Sequence, residues 1–312
     1  MKIINKKIIL GEKKMNELVR GCGVALVTPF TNGEIDYDIL GELVEMHVKH
    51  SGSIIVAGTT SEAATLSDNE YHGIVQFVID RVNKRIPVIA GAGSNCTAAA
   101  VKKAQFCEKA GADGLLIVTP YYNKTTQRGL VNHFRIIAEK TSLPIIVYNV
   151  PARTGMNIEP KTVLELSKIY NIAGIKEASG NISQVAEIIR ICPDDFLVYS
   201  GNDDMVIPLM SLGGHGVISV SANILPAEMK KMVDDYNNGN IKDAKNAQLA
   251  LNGINNALFI ETNPIPIKEA MAFMNMCSSE VRAPLYPMSD ENRNKLIKEL
   301  NLYGIGFAEQ AV

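Results

Sequence analysis

The feature that most constrains the fold of this chain is a short apolar run that recurs between residues 22 and 219. Each run is rich in valine, isoleucine and leucine and is continuously apolar, which is typical of parallel strands covered on both faces. The eight runs begin at Cys22, Ser53, Ile86, Gly114, Pro144, Ile172, Phe196 and Gly216. Successive starts lie 20 to 33 residues apart, which leaves room for a strand, a crossover helix and two short loops.

The segments between the runs carry helix-start signals. Asp36 precedes a helical-period stretch that begins at Tyr37, and Ser67 precedes another. Eight strands that alternate with helices favour a TIM-type (β/α)8 barrel within the α/β class. A doubly wound sheet is the weaker alternative. Such a sheet places a glycine-rich phosphate loop after its first strand, whereas the first run of this chain ends in Thr-Pro-Phe.

Beyond about residue 240 the strand runs stop and only helical spacing remains. We therefore expect residues 21–239 to form the barrel and residues 240–312 to form a C-terminal helical extension packed beside it. Residues 1–20 are predicted to be a tail outside the fold. Since Met15 opens the segment that leads into the first strand, it stays open whether residues 1–14 belong to the native protein.

Charge and hydropathy exclude two classes of partner. The net charge of −2 provides no positive field, so no nucleic-acid partner is expected. No apolar run approaches the roughly 18 residues that a membrane helix needs, so no membrane association is expected. The apolar core of the N-terminus, residues 8–10, is too short for a signal peptide. These features predict a cytoplasmic protein.

The distribution of cysteine and histidine argues against a metal centre. The 5 cysteines are scattered and include no CxxC pair, which favours reduced thiols over disulfides or a zinc site. No two histidines share a helical face with a third ligand nearby, and His215 is predicted to be structural within a glycine-rich turn. The sequence therefore predicts no metal.

A lysine stands at the end of the sixth run, which reads IAGIKEAS from Ile172 to Ser179. The carboxyl ends of barrel strands form the active site, so Lys176 would enter an apolar-walled mouth instead of bulk water. Burial there lowers the pKa of an ammonium from about 10 toward neutrality, and a neutral amine is required to form a Schiff base with a ketone. Tyr148, on the fifth run, would place a proton-carrying hydroxyl beside it. Glu177 alternates to the other side and is predicted to be structural.

Other groups at the strand ends are suited to binding carboxylates. Arg153, in a tight Pro-Ala-Arg-Thr-Gly turn, would bind a carboxylate in bidentate fashion. Thr59 and Thr60 lie at a strand-to-helix junction and would offer hydroxyl and backbone N–H groups to a second carboxylate. The residues by themselves thus predict a Schiff-base lysine with a tyrosine and a carboxylate clamp.

Five motifs together resemble the family of 4-hydroxy-tetrahydrodipicolinate synthases, also called dihydrodipicolinate synthases. They are Gly58–Thr60, Tyr121–Asn123, Tyr148–Gly155, Gly174–Ala178 and Gly213–Ser219. The resemblance runs from about Gly21 to the C-terminus. The motifs around Tyr148 and Lys176 define only the wider superfamily of pyruvate-dependent class I aldolases, whereas the double threonine, the double tyrosine and Arg153 are more specific.

The resemblance implies a lyase of lysine and diaminopimelate biosynthesis. Such an enzyme condenses pyruvate, held as a Schiff base on the lysine that matches Lys176, with L-aspartate 4-semialdehyde. The residues that match the family's proton relay are Tyr148, Thr59 and Tyr122, of which Tyr122 would reach into the neighbouring subunit's site.

The same resemblance assigns the substrate contacts. Thr60 and Ile218 would contact pyruvate, Gly201 would line the pocket, and Arg153 would hold the carboxylate of the semialdehyde. The family is typically a homotetramer built from tight dimers and needs neither metal nor cofactor. A homotetramer of this kind is therefore expected here.

The chain departs from the family pattern at several positions. Ser61 stands where glycine is usual, and Asn202 where many members have aspartate. At the site for feedback inhibition by lysine, Ala99 replaces the expected glutamate and Tyr71 the usual histidine, so weak or no inhibition by lysine is expected.

Two alternatives stay open. One is a sister class I aldolase of the N-acetylneuraminate lyase or 2-keto-3-deoxy sugar acid type, although such sisters usually lack the double tyrosine and Arg153. The other is a catalytically silent barrel that binds a small keto acid, an alternative that Ser61 and Asn202 keep open.

Overall fold

The computed structural model describes residues 18–19 and 21–306, so the predicted tail at residues 1–20 lies outside the described residues except for 18–19. Eight parallel strands within that part close into a barrel. They are β1 Gly21–Ala25, β2 Ser53–Val56, β3 Val88–Gly91, β4 Gly114–Val118, β5 Ile145–Asn149, β6 Ile172–Glu177, β7 Leu197–Ser200 and β8 Gly216–Ser219. The predicted (β/α)8 barrel is confirmed. The predicted and observed strand starts differ most at β3, which was predicted to begin at Ile86 and begins at Val88.

Each strand pairs with the next along the chain, and β1 closes the ring by pairing with both β2 and β8. In the closing pair, Gly21 lies opposite Gly216, whose φ is +138°. A Cβ on Gly216 would lie 1.9 Å from the carbonyl oxygen of Gly21, so only glycine fits there. The ring is therefore closed at a point where two backbones come close together.

Helices occupy the connections between the strands, and a hairpin of Phe30–Thr31 with Glu34–Ile35 follows β1. The helices are α1 Tyr37–His50, α2 Asp68–Val82, α3 Thr97–Ala110, α4 Gln127–Ala138, α5 Pro151–Thr154, α6 Pro160–Ser167, α7 Ile182–Ile191, α8 Val206–Ser211, α9 Pro226–Asn237, α10 Ile241–Ala257, α11 Ile265–Phe273 and α12 Asp290–Leu302. The side chain of Asp36 caps α1, and Ser67 forms a capping box with Glu70 at the start of α2.

The barrel strands are buried on both faces, which explains their continuous apolar sequence. One apolar cluster lies between the strands and the surrounding helices. A second, smaller cluster fills the barrel itself and includes Ile55, Ile89, Leu116, Ile146 and Ile218. Because this cluster closes the interior, polar groups can gather only at the carboxyl ends of the strands.

The helices after β8 reach those carboxyl ends. Helix α10 contacts the 3-10 turn Asp203–Met205 that follows β7, and α11 contacts the turn Ser221–Asn223 that follows β8. The domain boundary between residues 239 and 240 stays a prediction. Among the described residues, no helix has the length and apolar character needed to span a bilayer.

A glycine inside β6 provides a test of the strand packing. A Cβ on Gly174 would lie 2.3 Å from the carbonyl oxygen of Leu197 in β7, which is backbone and cannot turn aside. We expect Gly174→Ala to lower the free energy of unfolding by about 1–3 kcal/mol through overpacking. Urea denaturation followed by circular dichroism measures this loss.

The matched control is Gly41→Ala in helix α1. A Cβ there would meet only the side chains of Phe77 and Arg81, at 3.6 Å and 3.8 Å, which is ordinary contact. Alanine should stabilise the helix by up to about 1 kcal/mol. Equal unfolding free energies for the two variants would contradict the described register of β6 and β7.

Candidate active site

A cavity of about 950 Å³ opens at the carboxyl ends of the barrel strands. Its wall contains six of the eight predicted site residues: Thr59, Thr60, Tyr148, Arg153, Lys176 and Gly201. These residues come from the ends of β2, β5, β6 and β7 and from α5, so strand order alone brings them together. The two predicted residues outside the wall are Tyr122 and Ile218.

Lys176 is only 5% exposed and lies opposite Tyr148 in the pairing of β5 with β6. Its Nζ atom lies 4.6 Å from the centre of the Tyr148 ring. Burial lowers the pKa of Lys176 to about 8, with the negative charge of Asp203 opposing this shift and the positive charge of Arg153 adding to it. A useful fraction of the amine is thus neutral near neutral pH, as a nucleophile requires.

Tyr148 connects the lysine to the double threonine. The side chain of Thr59 acts directly on the hydroxyl of Tyr148. Burial raises the pKa of Tyr148, while the charge of Arg153 and the hydrogen bond from Thr59 lower it. The phenol is therefore kept protonated and can both donate and accept a proton in a relay beside Lys176.

The third predicted relay residue, Tyr122, is 90% exposed on the loop that follows β4. It has a φ of +68°, an uncommon conformation for an aromatic residue. Its side chain does not line the cavity of its own chain, so its role in a neighbouring subunit stays a prediction.

Ile218 is wholly buried within β8 and belongs to the apolar cluster that fills the barrel. Its predicted contact with pyruvate stays a prediction. Gly201, by contrast, lies against the lysine itself. A Cβ at that position would be 3.0 Å from Cε of Lys176 and 2.6 Å from Cβ of Ala178, so glycine leaves space for the lysine side chain.

The pattern of the sequence did not reveal Asn263, which is 4% exposed and lines the same cavity. Its side-chain Nδ2 donates to Oγ1 of Thr60 at 3.0 Å. Its backbone carbonyl oxygen accepts from Nη2 of Arg153, also at 3.0 Å. Asn263 therefore links two groups suited to carboxylates. It lies between α10 and α11, in a segment expected only to pack beside the barrel, so no local signal identified it.

The order of the runs predicts Asp203 at the mouth, after the seventh run, but assigns no role to this buried carboxylate in the cavity wall. Its Oδ2 accepts from the backbone N–H groups of Val220 and Ser221, both at 3.0 Å, whereas Oδ1 has no hydrogen-bond partner among the described residues. Burial raises the pKa of Asp203. This carboxylate both fixes the turn after β8 and places a negative charge near Lys176.

The remaining notable residues have structural partners. Glu177 faces away from the cavity and accepts from Nδ2 of Asn149 at 2.9 Å and from the N–H of Ser179 at 2.7 Å, in agreement with its predicted structural role. Ser61 is buried, and its hydroxyl donates to the carbonyl oxygen of Leu26 at 2.5 Å. The serine thus ties its turn to the end of β1.

Among the residues that the structure describes, no group of three or more histidine, cysteine, aspartate or glutamate side chains is arranged to hold a metal ion. His215 lies before β8, and its Nδ1 accepts from the N–H of Val198 at 3.1 Å. This hydrogen bond gives His215 a structural partner, as expected for a residue in a glycine-rich turn.

Comparison with known proteins points to one family. Residues 18–302 match the model of the dihydrodipicolinate synthetase family. A protein of Acetivibrio thermocellus named 4-hydroxy-tetrahydrodipicolinate synthase is 52% identical over 286 residues, which cover 91% of this chain and 97% of that protein. A protein of the same name from Thermoanaerobacter sp. is 54% identical over 288 residues, which cover 92% and 97%.

Solved structures agree with this assignment. The crystal structure of dihydrodipicolinate synthase from Thermotoga maritima has a TM-score of 0.91 and 41% identity, and the match covers 92% of this chain and 99% of that one. That of the synthase from Aquifex aeolicus has a TM-score of 0.90 and 43% identity, with 92% and 98% covered.

The lowered pKa of Lys176 predicts a specific pH dependence. Only a deprotonated amine attacks a ketone, so the initial rate at which Lys176 forms an adduct with added pyruvate should rise about tenfold per pH unit below the pKa and level off above about 8. For an ordinary lysine, with a pKa of about 10.4, the initial rate of adduct formation would still be rising above about pH 8. Trapping with cyanoborohydride across a pH series, followed by mass spectrometry, measures the profile.

Asp203→Asn serves as the diagnostic variant. It removes the negative charge that raises the pKa of Lys176, so the midpoint should move to lower pH. Asp204→Asn is the matched control, because that exposed carboxylate also lines the cavity. Identical midpoints for both variants and the wild type would contradict the assigned electrostatic role of Asp203.

Proposed function

The chain belongs to the dihydrodipicolinate synthetase family, and we propose that it condenses pyruvate with L-aspartate 4-semialdehyde on Lys176. The activity is that of a 4-hydroxy-tetrahydrodipicolinate synthase, a Schiff-base lyase of lysine and diaminopimelate biosynthesis. The observation that carries the residue-level proposal is the lysine buried at the end of β6, with its Nζ atom 4.6 Å from the centre of the Tyr148 ring.

The chemistry begins when the neutral amine of Lys176 attacks the keto carbon of pyruvate. Loss of water gives an iminium, and loss of a proton from the methyl group gives an enamine. The enamine carbon then forms a bond to the aldehyde carbon of the semialdehyde, and the aldehyde oxygen takes up a proton to become a hydroxyl. Attack of the semialdehyde's amino group on the former keto carbon closes the ring and releases the lysine.

Each proton in this sequence needs a carrier. We assign that work to Tyr148, whose ring centre lies 4.6 Å from Nζ of Lys176, and to Thr59, whose side chain lowers the pKa of Tyr148. Thr60 would hold the carboxylate of pyruvate, and Arg153 would hold that of the semialdehyde. The spacing of these groups around one cavity supports the assignment.

Assembly belongs to the same proposal. Tyr122 and Tyr121 are 90% and 39% exposed, so they are free to contact a second subunit. We propose a homotetramer, a dimer of dimers, in which Tyr122 completes the proton relay of its neighbour. A cytoplasmic location also stays a prediction.

Reductive trapping tests the proposed function. Incubation with pyruvate and borohydride should leave a stable adduct on the peptide that contains Lys176, and Lys176→Ala should leave none. A coupled assay should then show turnover with L-aspartate 4-semialdehyde and little with sugar aldehydes. Wild-type protein that forms no adduct would overturn the Schiff-base mechanism, and a preference for sugar aldehydes would favour the sister aldolases.

Feedback inhibition by lysine is expected to be weak. Tyr71 is buried, and its hydroxyl donates to the carbonyl oxygen of Gly91 at 2.9 Å, while Ala99 has no carboxylate to offer. A cationic ligand would lose an anionic partner worth about 1.5–3 kcal/mol. Initial rates measured against L-lysine concentration test this, with Ala99→Glu as a comparison, and an inhibition constant in the low micromolar range would contradict it.

A further inference from the structure

The turn that carries Thr59 and Thr60 is not supported by regular secondary structure. It lies between β2 and α2, and two of its non-glycine residues, Ala57 and Glu62, adopt left-handed φ values of 56° and 54°. Such residues cost about 1 kcal/mol or more each, and they persist only where surrounding contacts hold them. We therefore expect contacts from outside the turn to help hold its shape.

One of the outside contacts is a fully buried ion pair. Nζ of Lys268, in α11, donates to Oε1 of Glu62 at 2.7 Å, and both side chains have 0% exposure. The other oxygen of the same carboxylate, Oε2, accepts from the backbone N–H of Arg282 at 2.9 Å. Both oxygens of Glu62 are thus held by the C-terminal part of the chain.

An aromatic ring lies close to the ammonium of Lys268 and to the guanidinium of Arg282. Nζ of Lys268 lies 4.2 Å, and Cζ of Arg282 4.3 Å, from the centre of the buried Phe30 ring. Phe30 belongs to the hairpin that follows β1. The ammonium therefore contacts both an anion and a ring, and these two contacts leave it little freedom to move.

The ion pair is coupled to the catalytic groups through the turn. The N–H of Glu62 donates to the carbonyl oxygen of Thr59 at 3.0 Å, so the two residues share one hydrogen-bonded turn. The side chain of Thr59 lines the same cavity as Tyr148 and Lys176 and lowers the pKa of the Tyr148 hydroxyl. A shift of the Glu62 side chain would displace the hydroxyl that feeds the proton relay.

We propose that Lys268 is a positioning residue: its ion pair with Glu62 fixes the turn that presents Thr59 and Thr60 to the keto acid. Lys268 does not line the cavity, so it acts through Glu62 and not on the substrate. This inference rests on the proposed function, because it assigns the turn to the binding and protonation of pyruvate.

Lys268→Met is the primary test, since methionine is similarly long and unbranched but lacks the ammonium. Misplacement of catalytic groups by about 1 Å costs up to about 100-fold in rate, so we expect kcat/KM for pyruvate to fall about 10- to 100-fold. Adduct trapping should slow in parallel, while the KM for the semialdehyde should change little. Lys295→Met, which breaks the exposed pair with Glu291, is the matched control and should leave both unchanged.

A second variant separates positioning from stability. Lys268→Met leaves a buried carboxylate without its cation, whereas Glu62→Gln combined with Lys268→Met removes both charges and should recover much of the lost stability. We expect the double variant, even where the single one does not fold, to stay slow in adduct trapping. A folded double variant that traps pyruvate at the wild-type rate would overturn the proposal, and so would a folded Lys268→Met protein that does so.

The two proposals fail in different ways. If the wild-type protein forms no adduct at Lys176, the Schiff-base function itself is wrong. If the wild type forms the adduct and the variants form it equally fast, the function stands and only the positioning role of Lys268 is overturned.

Discussion

The parallel pairing of β5 with β6 is the constraint on which the site depends. It places Tyr148 opposite Lys176, and the closed ring turns both side chains into a mouth whose floor is apolar. Low solvent exposure is then the main cause that lowers the pKa of the lysine to about 8, and the positive charge of Arg153 adds to the shift. The fold thus produces a nucleophilic amine mainly by where it places a lysine, and the neighbouring charges adjust the result.

Two of those neighbouring charges act in opposite directions. The buried carboxylate of Asp203 favours the ammonium form of Lys176, whereas the guanidinium of Arg153 disfavours it. Once a Schiff base has formed, the same carboxylate would stabilise the iminium cation. A single buried anion can therefore limit how far burial lowers the pKa of the free amine, and it can also stabilise the charged intermediate that follows.

Periodicity predicted the barrel, and the rule that strand ends form the site predicted five of the residues that line its cavity. The sixth, Gly201, was predicted only through the family resemblance. The sequence did not reveal Asn263 or Lys268. Their contacts with Thr60 and Glu62 span 203 and 206 residues of chain, and no local pattern encodes such a distance. The sequence around Lys268, within an apolar helix, also does not indicate which anion will pair with it.

These long-range contacts change how the C-terminal helices are understood. The pairing of β5 with β6 places Lys176 opposite Tyr148, whereas the turn with Thr59 and Thr60 contains two residues, Ala57 and Glu62, with strained backbone angles. The segment from Asn263 to Lys268 holds that turn at two points. The predicted boundary near residue 240 separates barrel from extension along the chain, whereas both parts line the cavity. Lys176 comes from the barrel, and Asn263, which contacts Thr60 and Arg153, comes from the later segment.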